Sequence, residues 1–174
     1  MLLGISGALR GESTNSRLVR EAGRLYGGRF VEANLRLPLY DTDLESQGIP
    51  AEVEALASQI LSAEAVVIST PEYNQSLSGV LKNALDWVSR VDGKPWAEKP
   101  VALMSAAVGR AGGARANYAL RLAMTPFRPR LLTQEILVAD SRKQFDEQGL
   151  LISERYEAQL QALMDALRGE VARA

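Results

Sequence analysis

The stretch Ala65-Val66-Val67-Ile68-Ser69-Thr70-Pro71-Glu72-Tyr73-Asn74 decides the fold, because an apolar β-branched run ends abruptly in polar residues. A run with almost no polar content is typical of a parallel strand that is buried on both faces. Pro71 cannot continue the hydrogen-bonded ladder, so the strand is predicted to end at Thr70. The stretch therefore predicts a central strand of a parallel sheet, followed by a polar loop.

Strand-like and helix-like segments alternate along the chain on both sides of this stretch. Four further strands are predicted, at Leu2–Ser6, Phe30–Leu35, Val101–Ser105 and Arg130–Val138. Apolar residues at helical spacing predict five helices. Asn15 or Ser16 caps the first, Pro50 is the first residue of the second, and the third covers Gly79–Ser89. The fourth runs through Tyr118 to Met124, and the fifth covers about Ser153–Leu167.

This alternation predicts an α/β fold, a three-layer sandwich with a five-stranded parallel sheet between two layers of helices. Right-handed crossovers leave few topologies, and strand order 2-1-3-4-5 is one of the two common ones. Its switch point lies between the first and third strands, where ligands bind at the carboxyl ends of the strands. Because the sequence has no linker, repeat or low-complexity block, residues 1–174 are expected to form one domain.

Composition excludes several kinds of chemistry. The 174 residues contain no cysteine and no histidine, which excludes thiolate nucleophiles, imidazole bases and the common zinc sites. Asp41 and Asp43 have no third ligand at suitable spacing, so no metal site is predicted. A net charge of −1 with mixed signs argues against binding to nucleic acid or to a membrane surface. Enzymatic chemistry would therefore depend on carboxylates, lysine, tyrosine or a bound organic cofactor.

The first residues, Met1-Leu2-Leu3-Gly4-Ile5, have the character of a strand. An export signal would need a basic stretch followed by a longer apolar run. No segment of the sequence reaches transmembrane length. We therefore expect the protein in the cytoplasm.

The first predicted strand ends in Gly7-Ala8-Leu9-Arg10-Gly11-Glu12-Ser13-Thr14-Asn15. This loop combines small residues, short polar side chains and one arginine, and it leads into a helix. Backbone amides at the positive end of a helix bind phosphate well. The loop predicts a phosphate cradle, with an ordinary capped turn as the alternative, since neither a Walker A loop nor a dinucleotide fingerprint is present.

Two other strands end in loops of unusual composition. Residues 71–79 concentrate polar and aromatic side chains, including Tyr73 and Asn74, that suit a flat heteroaromatic ring. Residues 105–109 are small, which allows a ligand to approach the backbone closely. Taken singly, each could also be an ordinary loop between a strand and a helix. Together with the first loop they predict a nucleotide-like ligand at one edge of the sheet.

Three motifs occur in order along the chain. The first is Gly7-Ala8-Leu9-Arg10 followed by Ser13-Thr14-Asn15, and the third runs from Gly109 to Arg115. The second, which is longer and more specific, is Pro71-Glu72-Tyr73-Asn74 followed by Leu81-Lys82-Asn83-Ala84-Leu85-Asp86-Trp87. With these motifs, nearly the whole chain resembles the NAD(P)H-dependent FMN reductase family, most closely its bacterial branch of quinone and chromate reductases.

The resemblance implies a flavodoxin-like oxidoreductase that holds FMN and uses NADPH or NADH. In this family hydride passes from the nicotinamide to flavin N5 and then to a small acceptor such as a quinone, a flavin, an azo dye or chromate. The resemblance also implies a homodimer or homotetramer, with the helix around Trp87 at the subunit contact. It implies no catalytic side chain, and it assigns cofactor binding to Ala8, Leu9, Arg10, Ser13, Thr14, Asn15, Pro71, Glu72, Tyr73, Asn74, Ser105, Ala106, Gly109 and Arg110.

The chain departs from the family pattern in each loop. Alanines stand where relatives carry serine, at Ala8, Ala106 and Ala107. A lost neutral hydrogen bond is worth roughly 0.5–1.5 kcal/mol, about tenfold or less in affinity, so weaker FMN binding is expected unless backbone amides compensate. Gln75 and Ser78 replace the common glycine and proline, which alters the ring-side loop. Arg110 is unusual among small residues, and we hypothesise that it holds the phosphates of the nicotinamide nucleotide.

Two other functions stay open from the sequence alone. A flavodoxin-type electron carrier would share the fold, but such carriers are usually strongly acidic and this chain has a net charge of −1. A nucleotide-binding regulatory module that has lost its flavin would agree with the alanine substitutions. Reduction of the flavin by NADPH distinguishes the first alternative from a reductase, and failure to bind FMN identifies the second.

Overall fold

Strand β3 (Ala65–Thr70) lies at the centre of the sheet in the computed structural model, which describes residues 1–173. All six of its residues are buried, as its apolar sequence predicts. It pairs in parallel with β1 (Leu2–Ser6) and β4 (Pro100–Ala106), while β2 (Phe30–Glu32) and β5 (Arg130–Val138) form the edges. The strand order is β2-β1-β3-β4-β5. The predicted fold class and strand order are therefore confirmed.

Helices cover both faces of the sheet, since alternate strand residues point to opposite sides. The α-helices are α1 (Thr14–Tyr26), α2 (Thr42–Glu45), α3 (Ala51–Ser62), α4 (Gly79–Val88), α5 (Ala114–Met124) and α6 (Glu154–Val171). On the face of α1 and α6, Leu18 belongs to the same buried cluster as Val67. On the face of α3, α4 and α5, Leu85 and Leu120 share a cluster with Ile68. None of these helices is long and apolar enough to cross a membrane.

Several elements begin or end at residues other than those predicted, and for α1 and β2 the cause is a short polar side chain that bonds to nearby backbone. Helix α1 begins at Thr14, earlier than predicted, since the Ser13 hydroxyl accepts a hydrogen bond from the amide of Asn15 at 3.2 Å. Strand β2 ends at Glu32 rather than Leu35. The Asn34 side chain accepts a hydrogen bond from the amide of Arg36 at 3.0 Å, which turns the chain away from the sheet.

Helix α2 was absent from the predicted set of five, so the described residues contain one α-helix more than expected. Its cap is Asp41, whose carboxylate accepts a hydrogen bond from the amide of Asp43 at 2.8 Å. The carboxylate of Asp41 thus caps α2, and Asp43 supplies the capped backbone amide. A four-residue helix has too few apolar positions for a periodicity to be visible in the sequence.

Trp87 of α4 is fully buried. Its indole N–H donates to the carbonyl of Pro38 at 2.8 Å, and its ring meets that of Tyr40 edge to face at 5.1 Å between centroids. Trp87 is thus a core group that holds the connection after β2 against α4. A subunit contact through α4 would have to use other side chains of this helix.

Candidate functional site

The carboxyl ends of β1, β3 and β4 place the three predicted loops at one edge of the sheet. We call them the β1 loop (residues 7–13), the β3 loop (residues 71–78) and the β4 loop (residues 107–113). Ser105, predicted as the end of the strand and the start of the loop, and Ala106, predicted within the loop, are the last two residues of β4. The β1 and β3 loops flank the switch point of the strand order, which is the expected ligand position in such a sheet.

The β1 loop presents unused backbone donors. The amides of residues 9–12 form no hydrogen bond with any other group within residues 1–173. The amide of Ala8, in contrast, donates to the hydroxyl of Ser6 at 3.3 Å. The free amides lie just before the amino terminus of the 13-residue helix α1, whose dipole is positive at that end. This arrangement suits a phosphate group.

Arg10 gives the β1 loop a positive charge. Its side chain is exposed, and its guanidinium donates to the carbonyl of Glu12 at 2.9 Å. The acidic side chain of Glu12 is engaged elsewhere, 2.6 Å from the guanidinium of Arg17. The hydrogen bond and charge of Arg17 lower the pKa of Glu12 below its ordinary value. Glu12 is therefore ionised but neutralised by Arg17, which leaves the charge of Arg10 available to an anion.

The tip of the β3 loop is a tight two-residue turn. The backbones of Tyr73 and Ser76 exchange two hydrogen bonds of 3.1 Å, and the central residues Asn74 and Gln75 have φ of +49° and +65°. Positive φ at both central positions is the geometry of a type I′ turn. Gln75 thus adopts the left-handed conformation that glycine adopts without strain. The turn leaves the ring of Tyr73 57% exposed, available to a planar ligand.

Glu72 connects the β3 loop to helix α5. One carboxylate oxygen lies 3.9 Å from the guanidinium of Arg115. The other is buried and has no hydrogen-bond partner within residues 1–173. The carboxamide of Asn117, fully buried on α5, is also without a partner among the described groups. Glu72 therefore carries negative charge that one long ion pair only partly compensates.

The β4 loop is compact at its base and exposed at its tip. The hydroxyl of Ser105 donates to the carbonyl of Gly112. A Cβ at Gly113, which has φ of +84°, would lie 2.7 Å from that same hydroxyl oxygen. Val108 is 59% exposed, and Arg110 is exposed beside it. The loop therefore offers an apolar side chain and a cation at the rim of the site.

Ser78 ties the β3 loop to the β1 loop. Its hydroxyl donates to the carbonyl of Gly7 at 2.7 Å and accepts from the amide of Leu81 at 3.2 Å, where it caps α4. A Cβ at Gly7 would lie 2.9 Å from the Ser78 hydroxyl oxygen and 3.2 Å from Cδ of Pro71. The two loops approach so closely that position 7 has no room for a side chain.

Asn15 ties the β1 loop to the ends of two strands. Its carboxamide is buried and bonds to the backbone of Ala106 and to the hydroxyl of Ser69. A further contact joins Thr14, whose hydroxyl donates to that of Ser141 at 3.2 Å, in the segment after β5. All three loops are therefore held together by side chains from the strand ends and helix caps.

A comparison with known protein families identifies the family to which this arrangement of loops belongs. Residues 1–142 match the model of the family described as NADPH-dependent FMN reductase. The chain belongs to this family. The match includes the β1, β3 and β4 loops, so the family relationship covers the whole candidate site.

Individual members of the FMN reductase family agree with this assignment. The chain is 41% identical over 172 residues to an NAD(P)H-dependent FMN reductase of Pseudomonas aeruginosa, covering 96% of this chain and 92% of the relative. It is 36% identical over 167 residues to a 2-hydroxy-1,4-benzoquinone reductase of a Burkholderia species, covering 92% and 90%. Among solved structures, the flavoenzyme FerB of Paracoccus denitrificans, an NAD(P)H:(acceptor) oxidoreductase, superposes with a TM-score of 0.89 at 28% identity, covering 99% of this chain and 97% of FerB.

The structure brings the residues of the FMN reductase motifs to one edge of the sheet, with three degrees of exposure. The exposed ones are Leu9, Arg10, Tyr73, Asn74, Gly109 and Arg110, whereas Ser13, Asn15, Pro71, Ser105 and Ala106 are buried, and Ala8, Thr14 and Glu72 are intermediate. Ser69, Ser78 and Ser141 belong to the same edge and were not predicted. Ser69 had a visible signal, since it is the first polar residue in the apolar run of β3.

Proposed function

We propose that this chain is an FMN-dependent NAD(P)H reductase that binds the flavin across the β1, β3 and β4 loops. The observation that carries this proposal is the convergence of those loops at the switch point, with free amides and the uncompensated charge of Arg10 on one side and the exposed ring of Tyr73 on another. An FMN molecule has the matching polarity, a charged phosphate at one end and a flat heteroaromatic ring at the other.

The donor set of the β1 loop fits a phosphate dianion. Unpaired amides, a helix amino terminus and an arginine are all complementary to negative charge. These amides would also compensate for the hydroxyl that is missing at Ala8, since several backbone donors remain for the phosphate. Leu9, Arg10, Ser13 and Thr14 would hold the phosphate, Pro71 to Asn74 would contact the ring, and Ser105 to Arg110 would form the third wall.

The bound flavin would supply the redox chemistry, accepting hydride from NADPH or NADH and releasing it to an acceptor. The chain itself would bind and orient the reactants and exclude water from between them. It has no histidine or cysteine to act as base or nucleophile, and such a reaction needs neither. The side chains at the rim, Tyr73 and Val108, are 57% and 59% exposed and would pack against planar rings.

Quinones are the acceptors we propose first, because relatives over 90% or more of this chain include a benzoquinone reductase. Free flavins, azo dyes and chromate are proposed as further acceptors of the same open site. Cytoplasmic location, a single domain and assembly as a homodimer or homotetramer stay predictions from the sequence.

The reductase function is tested by anaerobic titration of the FMN-loaded protein with NADPH and with NADH. We expect either or both nucleotides to bleach the flavin absorbance, and a benzoquinone to restore it. Flavin that stays oxidised with both nucleotides would identify an electron carrier instead. An apoprotein that fails to take up FMN would identify a nucleotide-binding module without flavin.

Replacing Arg110 by alanine is expected to raise KM for NADPH about fivefold with kcat unchanged, because an exposed ion pair is worth up to about 1 kcal/mol. The side chain of Arg110 is exposed and forms no ion pair or hydrogen bond among residues 1–173, so its charge is free for a phosphate. Steady-state kinetics with saturating quinone measure the effect. Arg29→Ala, at the opposite edge of the sheet just before β2, is the control. An unchanged KM in Arg110→Ala would remove this residue from the nucleotide site.

A further inference from the structure

We infer that Asn15 is a positioning residue, whose carboxamide sets the β4 strand end against the phosphate-binding β1 loop and does not itself contact the phosphate. The inference rests on the proposed function, because the position it fixes is that of a flavin site. It changes the role that the sequence motif implies for Asn15, from a ligand of the cofactor to a support for two other segments.

The carboxamide of Asn15 has three protein partners. Its oxygen accepts from the hydroxyl of Ser69 at 2.8 Å and from the amide of Ala106 at 3.0 Å. Its nitrogen donates to the carbonyl of Ala106 at 2.9 Å. Asn15 is 2% exposed, Ala106 is 3% exposed and Ser69 is fully buried. The group thus bonds to both backbone atoms of Ala106, as a neighbouring strand would.

This set of bonds leaves little of the side chain for a ligand. A carboxamide oxygen has two lone pairs, and both are used. Only one N–H remains, on a side chain that is almost completely buried. The free amides of residues 9–12 and the guanidinium of Arg10, in contrast, are available in the β1 loop. Phosphate binding is therefore assigned to those groups.

The position of Ala106 explains why the hydrogen bonds of Asn15 affect the flavin site. Ala106 is the last residue of β4, and the β4 loop leaves the sheet directly after it. Ser69, the second partner, lies next to the end of β3, and its carbonyl accepts from the amide of Gly7 at 2.8 Å. Loss of the carboxamide would therefore release the phosphate side of the site from its ring side. Aspartate could not replace it, since a carboxylate has no N–H for the carbonyl of Ala106.

Comparison of FMN with riboflavin, which lacks the phosphate, separates a phosphate ligand from a support. We expect Asn15→Ala to weaken the binding of both flavins by the same factor, about tenfold, when the apoprotein is titrated by flavin fluorescence. Arg10→Ala is the contrasting variant, and we expect it to weaken FMN by tenfold or more while riboflavin binding is unchanged. A loss confined to FMN in Asn15→Ala, or no loss for either flavin, would overturn the inference.

A second variant and a measurement without flavin complete the test. Ser69→Ala removes one of the three bonds and leaves the contacts with Ala106, so a smaller loss, equal for both flavins, is expected even if Asn15→Ala fails to fold. In the apoprotein, amide hydrogen exchange at Ala106 is expected to be faster in Asn15→Ala than in the parent chain. Exchange in β5 is expected to be the same in both proteins and serves as the control. Unchanged exchange at Ala106 would overturn the inference that Asn15 positions the end of β4. A parent chain that binds neither flavin would contradict the proposed function alone.

Discussion

Replacing Gly112 by alanine is expected to lower the free energy of unfolding by about 3 kcal/mol. Gly112 has φ of +60°, a conformation that costs an L-residue roughly 1–2 kcal/mol. A Cβ there would also lie 2.6 Å from the carbonyl carbon and 2.7 Å from the carbonyl oxygen of Leu137 in β5. Backbone atoms of a buried sheet cannot move aside as a flexible side chain can, so overpacking adds roughly 1–3 kcal/mol.

Thermal unfolding measures this effect, with an expected fall in Tm of roughly 6–12 °C for a chain of this size. The carbonyl of Gly112 accepts from Ser105, so displacement of Gly112 also disturbs the base of the β4 loop, and we expect weaker flavin binding. Gly109→Ala is the matched control, since it lies in the same loop, has no positive φ, and a Cβ there would have no neighbour within 4 Å. Equal Tm values for the two variants would contradict the close packing of Gly112 on β5.

The limits of sequence reasoning differ between the sheet and its connections. The apolar run Ala65–Thr70 predicts β3 with its observed bounds, because burial on the sheet depends on side-chain polarity. The mixed segment Arg130–Val138 likewise predicts β5, whose buried residues are the apolar Leu132, Ile136 and Val138. Strand β2 is shorter than its alternation suggests, since one local bond from Asn34 turns the chain. Helix α1 begins earlier than predicted for a similar reason, since the side chain of Ser13 caps it. A side chain that bonds to nearby backbone overrides periodicity within a few residues.

The three loops of the site were predictable from composition and motif, but the bonds between them were not. Ser78 and Gly7 are 71 residues apart, and Asn15 is 91 residues from Ala106. Polar residues in a loop have the same appearance in the sequence whether they face a ligand or another loop. Asn15 illustrates the difference, since its motif indicates a cofactor contact and its geometry indicates a support. Only the assembled sheet edge distinguishes these roles.

Replacing Trp87 by alanine is the other change with a large expected effect, about 4 kcal/mol lost from the free energy of unfolding. The side chain is fully buried, so its removal leaves a large cavity and ends the contact with the ring of Tyr40. The carbonyl of Pro38 keeps a second donor, the side chain of Asn83 at 2.9 Å, and the cost is therefore mainly lost packing. Tm is expected to fall by roughly 8–16 °C.

Two controls separate a core tryptophan from an interface tryptophan. Trp87→Phe keeps a buried ring but loses the indole N–H donor and part of the ring volume, so a loss of about 1–2 kcal/mol is expected. Leu122→Ala changes a side chain that is 75% exposed on α5 and is expected to shift stability by less than about 0.5 kcal/mol. Sedimentation velocity on the same proteins reports assembly. A Trp87→Ala protein with unchanged Tm but altered sedimentation would contradict the core role of Trp87. Removal of a side chain that is buried within its own subunit must lower the stability of that subunit.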